Sequence, residues 1–540
     1  MTYDPERYKS PIPRLVLISG RHENSVNKIL NILENSPIDP EEYGLLNNFF
    51  KYNVPGHTGR GFTILDTNEN RKTVSVSKGF EFYSGNTRPL WFLYSGMGSQ
   101  WAGMGEGLLR LPVFAAAIEK CNKALMPKGL DIIKIITDKD ISSLNIVNSF
   151  VAITAIQIGL TDVLKSLGII PNNIIGHSVG ELACAYADGS LTAEQTILAS
   201  YSRAIISNET KFIKGKMAAV GLGHKEVAQI CPYEIQVACH NSSESSTISG
   251  PADIVTQFVN SLTEKGVFAR EVASSNIAFH SRYIAKAGPA FLALQKQFIP
   301  EPKLRSEKWV STCFPSEEWH KPNSKYASAE YFTHNLLNSV LFEEAASLIP
   351  DDAIIIEIAP HGLLQAIMKR SHSQCLNLSL TRRGEKDSVK LLLEAIGRLY
   401  QAGVNPDVDA LYPEIEFPVS TETPLLSHLM TSYARSKNKL TILTELSKDF
   451  RDMSVKFDDI TFYNEIMIKS DEPLRINVAI HNASNKFEVV HDNIMLVDGY
   501  INEIKKTNTK SYNLLFSENE KHLNQNDIYT LLKIRGYSYE

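Results

Sequence analysis

Ile174-Ile175-Gly176-His177-Ser178-Val179-Gly180-Glu181-Leu182-Ala183 reads as a short apolar strand, a G-x-S-x-G turn and the first residues of a helix. This is the pattern of a nucleophile elbow. The glycines permit a tight strand-to-helix turn, so the Ser178 hydroxyl projects from it while the helix N-terminus aims amides and positive dipole at it. The backbone N–H of Val179 is then a natural oxyanion donor. A chance G-x-S-x-G in a loop is the bland alternative, which the strand before and the amphipathic helix after oppose.

Outward from the elbow the same alternation continues. Apolar strands at Leu90 to Tyr94, Met217 to Val220, Thr247 to Gly250, Val267 to Val272 and Ala353 to Ile358 are separated by helical stretches such as Phe150 to Leu167. Strands interleaved with helices predict an α/β fold on a mainly parallel sheet. Met217 to about Val272 has its own strand, helix, strand, helix, strand order, with helices at Lys225 to Ile230 and Ala252 to Lys265, which fits a ferredoxin-like insert. Upstream, the strand Leu15 to Ser19 and the helical spacing of Val26, Ile29, Leu30 and Leu33 describe a small α/β module. Gly56 to Gly61 reads as loop. The Pro-bounded stretch Leu411 to Pro418 marks a boundary near residue 420. Beyond it, Ile460 to Ile468, Leu474 to Ile480 and Phe487 to Val490 read as β-rich.

Composition excludes several classes. At roughly 150 residues per domain, 540 residues predict three or four domains. With 43% apolar and 21% charged residues the chain is neither disordered nor fibrous. Lys and Arg total 55 against 60 Asp and Glu, a net charge of −5, so nothing global favours nucleic acid or an anionic membrane. The charged segment Met1 to Arg7 does not read as a signal peptide, and no stretch approaches about 18 consecutive apolar residues. The expectation is a cytoplasmic protein. Six scattered cysteines without a C-x-x-C pair read as reduced thiols, neither disulfides nor zinc ligands. The Gly-rich turn from Ser95 to Gly105 lacks the spacing of a phosphate loop. No metal and no bound cofactor are predicted.

A serine nucleophile needs a base. His280, in Asn276-Ile277-Ala278-Phe279-His280-Ser281, lies at the junction between a strand and a helix, where catalytic groups are carried. His361, in Ile358-Ala359-Pro360-His361, also ends a strand and is the next candidate. His177 adjoins Ser178, but its backbone direction carries it elsewhere, and it reads as structural. Arg203 sits on a helix opened by the capping-box pattern Thr192-Ala193-Glu194-Gln195. Such an arginine is ordinarily solvated or ion-paired at the surface. Met97 and Phe279 read as core residues on their own.

Together Gly176 to Glu181, the turn Ser95-Gly96-Met97-Gly98-Ser99-Gln100, Ala278 to Ser281 and Ile358 to His361 resemble the malonyl/acetyl transacylase domain of animal-type fatty acid synthases. Arg203 follows the serine by 203 − 178 = 25 residues and His280 by 280 − 178 = 102, as the family pattern requires. The resemblance implies a small α/β linker domain over 1–88, an α/β-hydrolase-like acyltransferase over 89–405 with a ferredoxin-like insert at about 216–280, a post-acyltransferase linker over 406–450 and a truncated dehydratase-like half-hotdog over 451–540. No ketosynthase-like segment precedes it. The His-x-x-x-Gly segment of a dehydratase is missing between about Leu426 and Met453, since His428 is followed four residues later by Ser432. Dehydration is therefore not expected.

What the resemblance implies about chemistry is specific. Ser178 is the nucleophile and His280 the base of a dyad, with the backbone carbonyl of Asn335 orienting the imidazole. The amides of Met97 and Val179 form the oxyanion hole. Arg203 clamps the free carboxylate of a malonyl group, and Phe279 lines the acyl pocket. The expected activity is transfer of malonyl, and also acetyl, units from coenzyme A to the phosphopantetheine thiol of an acyl carrier protein in fatty acid synthesis. A serine esterase or thioesterase, and a non-enzymatic synthase-like interaction protein, are the alternatives. The expected partners are malonyl-coenzyme A, acetyl-coenzyme A, the carrier protein and other fatty acid synthase domains.

Overall fold

The computed structural model describes residues 7–50, 56–67, 72–416, 455–462, 477–481, 486–491 and 494–503. Among the described residues, those within 8–38 and 46–414 pack as one unit, and residue 7 with those within 39–45 and 415–503 as another.

The chain begins with β1 (Arg14–Gly20), α1 (Glu23–Glu34), α2 (Pro40–Phe50), β2 (Gly59–Thr67) and β3 (Thr73–Phe82), and the three strands form an antiparallel sheet in the order β1-β2-β3. β1 is buried along its whole length, which explains its unbroken apolar run. α1 covers the sheet with Val26, Ile29, Leu30 and Leu33. Where the sequence suggested a loop at 56–61, β2 already starts at Gly59. A Cβ on Gly61 would meet Val26 at 2.5 Å, so its glycine reflects a helix lying on the strand rather than a turn.

The central layer follows: β4 (Leu90–Tyr94), α3 (Pro112–Leu125), α4 (Ile132–Thr137), α5 (Ile146–Ser166), β5 (Asn173–Gly176), α6 (Gly180–Asp188) and α7 (Ala193–Glu209). α5 is long and apolar enough by composition to cross a membrane, but 83% of its most apolar window is buried inside the protein, as the core helix of an α/β fold requires. α7 opens with the capping box expected of Thr192 and Gln195.

An insert then departs and returns: β6 (Gly215–Val220), α8 (His224–Ile230), β7 (Gln236–Ser242), β8 (Ser245–Pro251), α9 (Ala252–Glu264) and β9 (Ala269–Val272). Its strands form an antiparallel sheet ordered β7-β8-β6-β9. This is the β-α-β-β-α-β order of a ferredoxin-like unit. Val220, Val227, Ile248, Val255 and Leu262 give it a separate core. The sequence reading lacked β7, whose Cys-His-Asn-Ser stretch carries no strand signature and is held by pairing with β8.

The rest of the large layer comprises α10 (Gly288–Phe298), β10 (Lys303–Leu304), β11 (Trp309–Val310), α11 (Pro322–Lys325), β12 (Tyr326–Ala327), α12 (Ala329–Leu337), α13 (Phe342–Ala346), β13 (Ile354–Ile358), α14 (Gln365–Ser371), β14 (Leu376–Ser379) and α15 (Ser388–Gln401). Five strands make a parallel sheet in the order β11-β5-β4-β13-β14. β4 and β13 are buried at every residue, as strands covered on both faces must be. α15 runs back to the first sheet, where the Arg60 guanidinium donates to the Tyr400 carbonyl at 2.8 Å.

In the second unit β15 (Val455–Phe462), β16 (Asn477–His481), β17 (Lys486–His491) and β18 (Ile494–Glu503) form an antiparallel sheet in the order β15-β18-β17-β16. The expectation of β-rich material holds over these residues. The gap expected between Leu426 and Met453, His428, and the segments 463–468 and 532–537 lie outside the described residues.

Candidate active site

The C-terminal ends of β4, β5 and β13 converge where open α/β sheets hold their ligands. Gln157 of α5 ties two of them together, donating to the carbonyls of Ser95 at 2.7 Å and Ile358 at 3.2 Å. Glu357 of β13 accepts from the Ser95 hydroxyl and, at 2.9 Å, from the Leu364 amide, which fixes the Gly-rich turn and the loop after His361.

The elbow itself is strained and tightly seated. Ser178 has φ 55°, a left-handed conformation that a serine adopts only when its surroundings enforce it. The enforcement comes from β4: the His177 amide donates to the Tyr94 carbonyl at 2.8 Å. A Cβ on Gly180 would lie 2.1 Å from that same oxygen, so no other residue fits there. Next in the chain, the Glu181 carboxylate is buried and accepts from Trp309 Nε1 at 2.8 Å, the Tyr331 hydroxyl at 2.7 Å, and the Thr312 amide and hydroxyl at 2.8 and 2.7 Å. Burial raises its carboxyl above the ordinary range, and these donors hold it back.

Ser178 Oγ is 2.7 Å from His280 Nε2. On the other side of the ring, Nδ1 is 2.8 Å from the Asn338 carbonyl. A carbonyl only accepts, so Nδ1 carries the proton and Nε2 presents its lone pair to the serine. Burial first, and the Arg203 charge second, push the imidazole down to about 3. His280 also has φ 58°, and Ser275 and Asn276 before it are left-handed as well.

The expected orienting carbonyl, that of Asn335, gives way to Asn338. Asn338 is the C-cap of α12, where the carbonyl has no helical partner and is free to turn to the ring. The Asn335 carbonyl contributes only a weaker interaction. Its side chain does something else: Oδ1 accepts from Arg203 Nη1 at 2.6 Å.

Arg203 is 2% exposed. Its Nη2 donates to Ser178 Oγ at 3.1 Å, and the guanidinium lies 5.6 Å from the Phe150 ring centre. Among the described residues no carboxylate pairs with it, and Nε has no hydrogen-bond partner. Burial lowers its pKa to about 9. The ordinary surface reading of a helical arginine therefore fails here.

Ser178, His280, Arg203, Met97 and Phe279 line one cavity of about 310 Å³, together with Phe150, Asn241 and His177. Phe279 packs edge-on against Phe150, ring centres 6.0 Å apart. Among the described residues the amides of Met97 and Val179 are paired with no acceptor in the protein. His177 Nε2 bonds Asn241 Oδ1 at 2.9 Å, and its ring sits 5.5 Å from that of Phe342. His361 is not brought to the serine: its Nδ1 accepts the Arg383 amide at 3.2 Å, and it lines a separate pocket. Asn241, Asn338 and the side chain of Asn335 were not identified from the sequence.

A family model described as "Acyl transferase domain" matches residues 91–406. The chain belongs to the acyl transferase domain family. A second model, "Ketoacyl-synthetase C-terminal extension", matches residues 2–64 of this acyltransferase. Similar curated proteins include the highly reducing polyketide synthase g433 of Fusarium sp., 32% identical over 59% of the acyltransferase chain and 13% of its own. Another is the highly reducing polyketide synthase gloL of Glarea lozoyensis, 29% identical over 77% and 17%. The acyltransferase chain thus spans less than a fifth of the length of these relatives. Among solved structures, the acyltransferase domain from module 8 of the salinomycin polyketide synthase has a TM-score of 0.61 at 20% identity, covering 74% of this chain and 98% of that one. The acyl transferase domain of SpnD in complex with 2-(pent-4-yn-1-yl)malonyl also reaches 0.61, at 19% identity, covering 75% and 99%. At these identities they show the shared α/β fold.

Proposed function

We propose that this acyltransferase moves a malonyl group from coenzyme A to the phosphopantetheine thiol of an acyl carrier protein, through an ester on Ser178. The observation that carries the reading is Arg203: a buried guanidinium with no carboxylate partner among the described residues, bonded to the nucleophile's own oxygen. A buried charge without a counter-charge is costly unless a ligand supplies one, and a malonyl carboxylate does so in a bidentate pair.

The steps follow from the geometry. His280 Nε2 takes the Ser178 proton as Oγ attacks the thioester carbonyl. Nδ1–H stays on the Asn338 carbonyl and fixes the ring. The amides of Met97 and Val179 stabilise the oxyanion, each such donor being worth about 3 kcal/mol. The tetrahedral intermediate collapses, coenzyme A leaves with the proton from His280, and the malonyl-serine remains. The carrier thiol then gives its proton to His280 and attacks the ester; the second tetrahedral intermediate collapses to the malonyl thioester, and His280 returns that proton to Ser178 Oγ.

The sequence resemblance pointed to fatty acid synthesis. The relatives are named as polyketide synthases, so we place this activity in polyketide chain extension, with acetyl as a lesser donor. We also keep the limits of 1–88 for the linker, 89–405 for the acyltransferase, 406–450 for the following linker and 451–540 for the dehydratase-like remnant. Intact-mass measurement after mixing with malonyl-coenzyme A tests the reading. A single malonyl adduct is expected on the wild type and none on Ser178→Ala; an adduct that survives the substitution refutes it. Coenzyme A release that is equally fast without carrier protein identifies a thioesterase instead.

A further inference from the structure

Arg203 is held from two sides by groups that carry no charge. Its Nη2 donates to Ser178 Oγ at 3.1 Å and its Nη1 to Asn335 Oδ1 at 2.6 Å. Asn335 sits in the last turn of α12 and is 3% exposed. A guanidinium only donates, so the amide oxygen must face it; the flipped amide would set two donors against each other. Among the described residues these contacts engage two of the five N–H groups of the side chain, which leaves 5 − 2 = 3 for a ligand.

The chemistry of that acceptor matters. Aspartate has the shape of asparagine, and in this position its carboxylate would stand at ion-pair distance from Arg203. A buried cation gains most from a counter-charge, so exchanging one amide for a carboxylate would neutralise the arginine from within. The protein holds an amide there instead. The other groups that bear on the Arg203 charge, the Cys313 and Cys239 thiols, are themselves neutral, because burial pushes both up. The guanidinium is thus seated by hydrogen bonds alone, and its charge is kept for an incoming carboxylate. The end of α12 also keeps its two tasks separable. His280 is oriented by the main-chain carbonyl of Asn338 and Arg203 by the side chain of Asn335, so a side-chain exchange at 335 leaves the first contact in place.

We propose that Asn335 is a specificity-determining positioning residue, whose neutral amide fixes the Arg203 guanidinium while leaving its charge to acyl groups that end in a carboxylate. The proposal rests on the reading of Arg203 as the malonyl clamp. It commits the site to short dicarboxylic acyl thioesters, and it makes the isosteric carboxylate a worse replacement than the truncated side chain. In Asn335→Asp the arginine is already paired, and a malonyl carboxylate meets both a neutralised cation and a buried like charge. In Asn335→Ala the guanidinium loses one support but keeps its charge. A purely structural role orders the two variants the other way, because aspartate fills the space and keeps the contact while alanine leaves a cavity.

Single-turnover release of coenzyme A, with malonyl-coenzyme A or acetyl-coenzyme A as donor, gives the limiting acylation rate and the half-saturating concentration for each variant of the full chain. Asn335→Asp should lower the malonyl-to-acetyl ratio of specificity constants by roughly ten- to a hundredfold, and Asn335→Ala should lower it by less. The loss should appear as a raised half-saturating concentration for malonyl, because the carboxylate contact is made before acylation as well as during it. Circular dichroism confirms that each variant is folded. An unchanged ratio in Asn335→Asp, a fall shared equally by both donors, or a ratio lower in Asn335→Ala than in Asn335→Asp overturns the proposal. If Asn335→Asp does not fold, Asn335→Ala decides: a lowered ratio supports the role and a wild-type ratio overturns it. Arg203→Ala is measured beside them. If it depresses both donors equally, the clamp itself fails and the role of Asn335 with it; if it is selective against malonyl while Asn335→Asp is not, only the role of Asn335 is refuted.

Discussion

Arg203 and His280 share one electrostatic environment, and each predicts the behaviour of the other. Malonyl offers Arg203 a carboxylate and acetyl does not. A charge-assisted pair is typically worth about 1.5 to 3 kcal/mol, so Arg203→Ala should depress malonyl transfer by roughly ten- to a hundredfold while sparing acetyl. Equal loss of both specificity constants would make the arginine structural. The pH dependence has a definite sign. An imidazole with the ordinary pKa of about 6.5 would be only about 3% neutral at pH 5, a loss of about thirtyfold. His280, depressed to about 3 by burial and then by Arg203, stays neutral there. Single-turnover acylation should therefore be nearly flat from pH 7.5 to 5, and an acid limb near 6.5 would refute the assignment. A bound malonyl carboxylate cancels part of the Arg203 charge and raises the His280 pKa. The acid limb under saturation should accordingly lie higher for malonyl than for acetyl.

Among the elements, β5, its turn and α6 act as one rigid piece, anchored by Glu181 far more than by the glycines alone. Glu181→Ala leaves Trp309 Nε1 and the Thr312 amide unmatched, at about 1 to 3 kcal/mol for each, while the hydroxyls of Thr312 and Tyr331 keep the Gly176 carbonyl and Ser311. Urea unfolding should show a loss of about 2 kcal/mol or more. A loss under about 1 kcal/mol would mean that water or neighbouring groups replace the carboxylate. The elbow was legible because its chemistry is written in consecutive residues, with Gly176 and Gly180 set around Ser178. The support of His280 was not. In Asn335-Leu-Leu-Asn338 the sequence offers two asparagines one helical turn apart. Only the end of α12 decides that the later one presents a carbonyl to the ring while the earlier one spends its side chain on Arg203. β7 was likewise hidden, since its polar residues become strand only through pairing, and with it Asn241 went unseen.

At the scale of the whole molecule, the cavity and every residue that lines it belong to the unit made of residues 8–38 and 46–414. A chain ending at Glu416 should therefore still form the malonyl adduct on Ser178 at an unchanged rate, and loss of the adduct from soluble, folded truncated protein would contradict this. The alternation of strand and helix was enough to predict the α/β layer and the ferredoxin-like insert, because buried parallel strands such as Ile354–Ile358 must be continuously apolar. The proposed polyketide setting was not readable from the elbow, whose residues specify only a serine nucleophile.

The carbonyl behind His280 has a consequence for timing. Among the described residues no carboxylate bonds the ring to support a positive charge, and the imidazole is a weak proton acceptor. Once an acyl group rests on Ser178, whatever attacks next must surrender its own proton to that ring. Water, with a pKa of about 15.7, does so about seven orders of magnitude less readily than a thiol of pKa about 8.5. On the proposed mechanism the site ranks incoming acceptors by their acidity as well as their fit, so the ester should outlast water and discharge to a thiol.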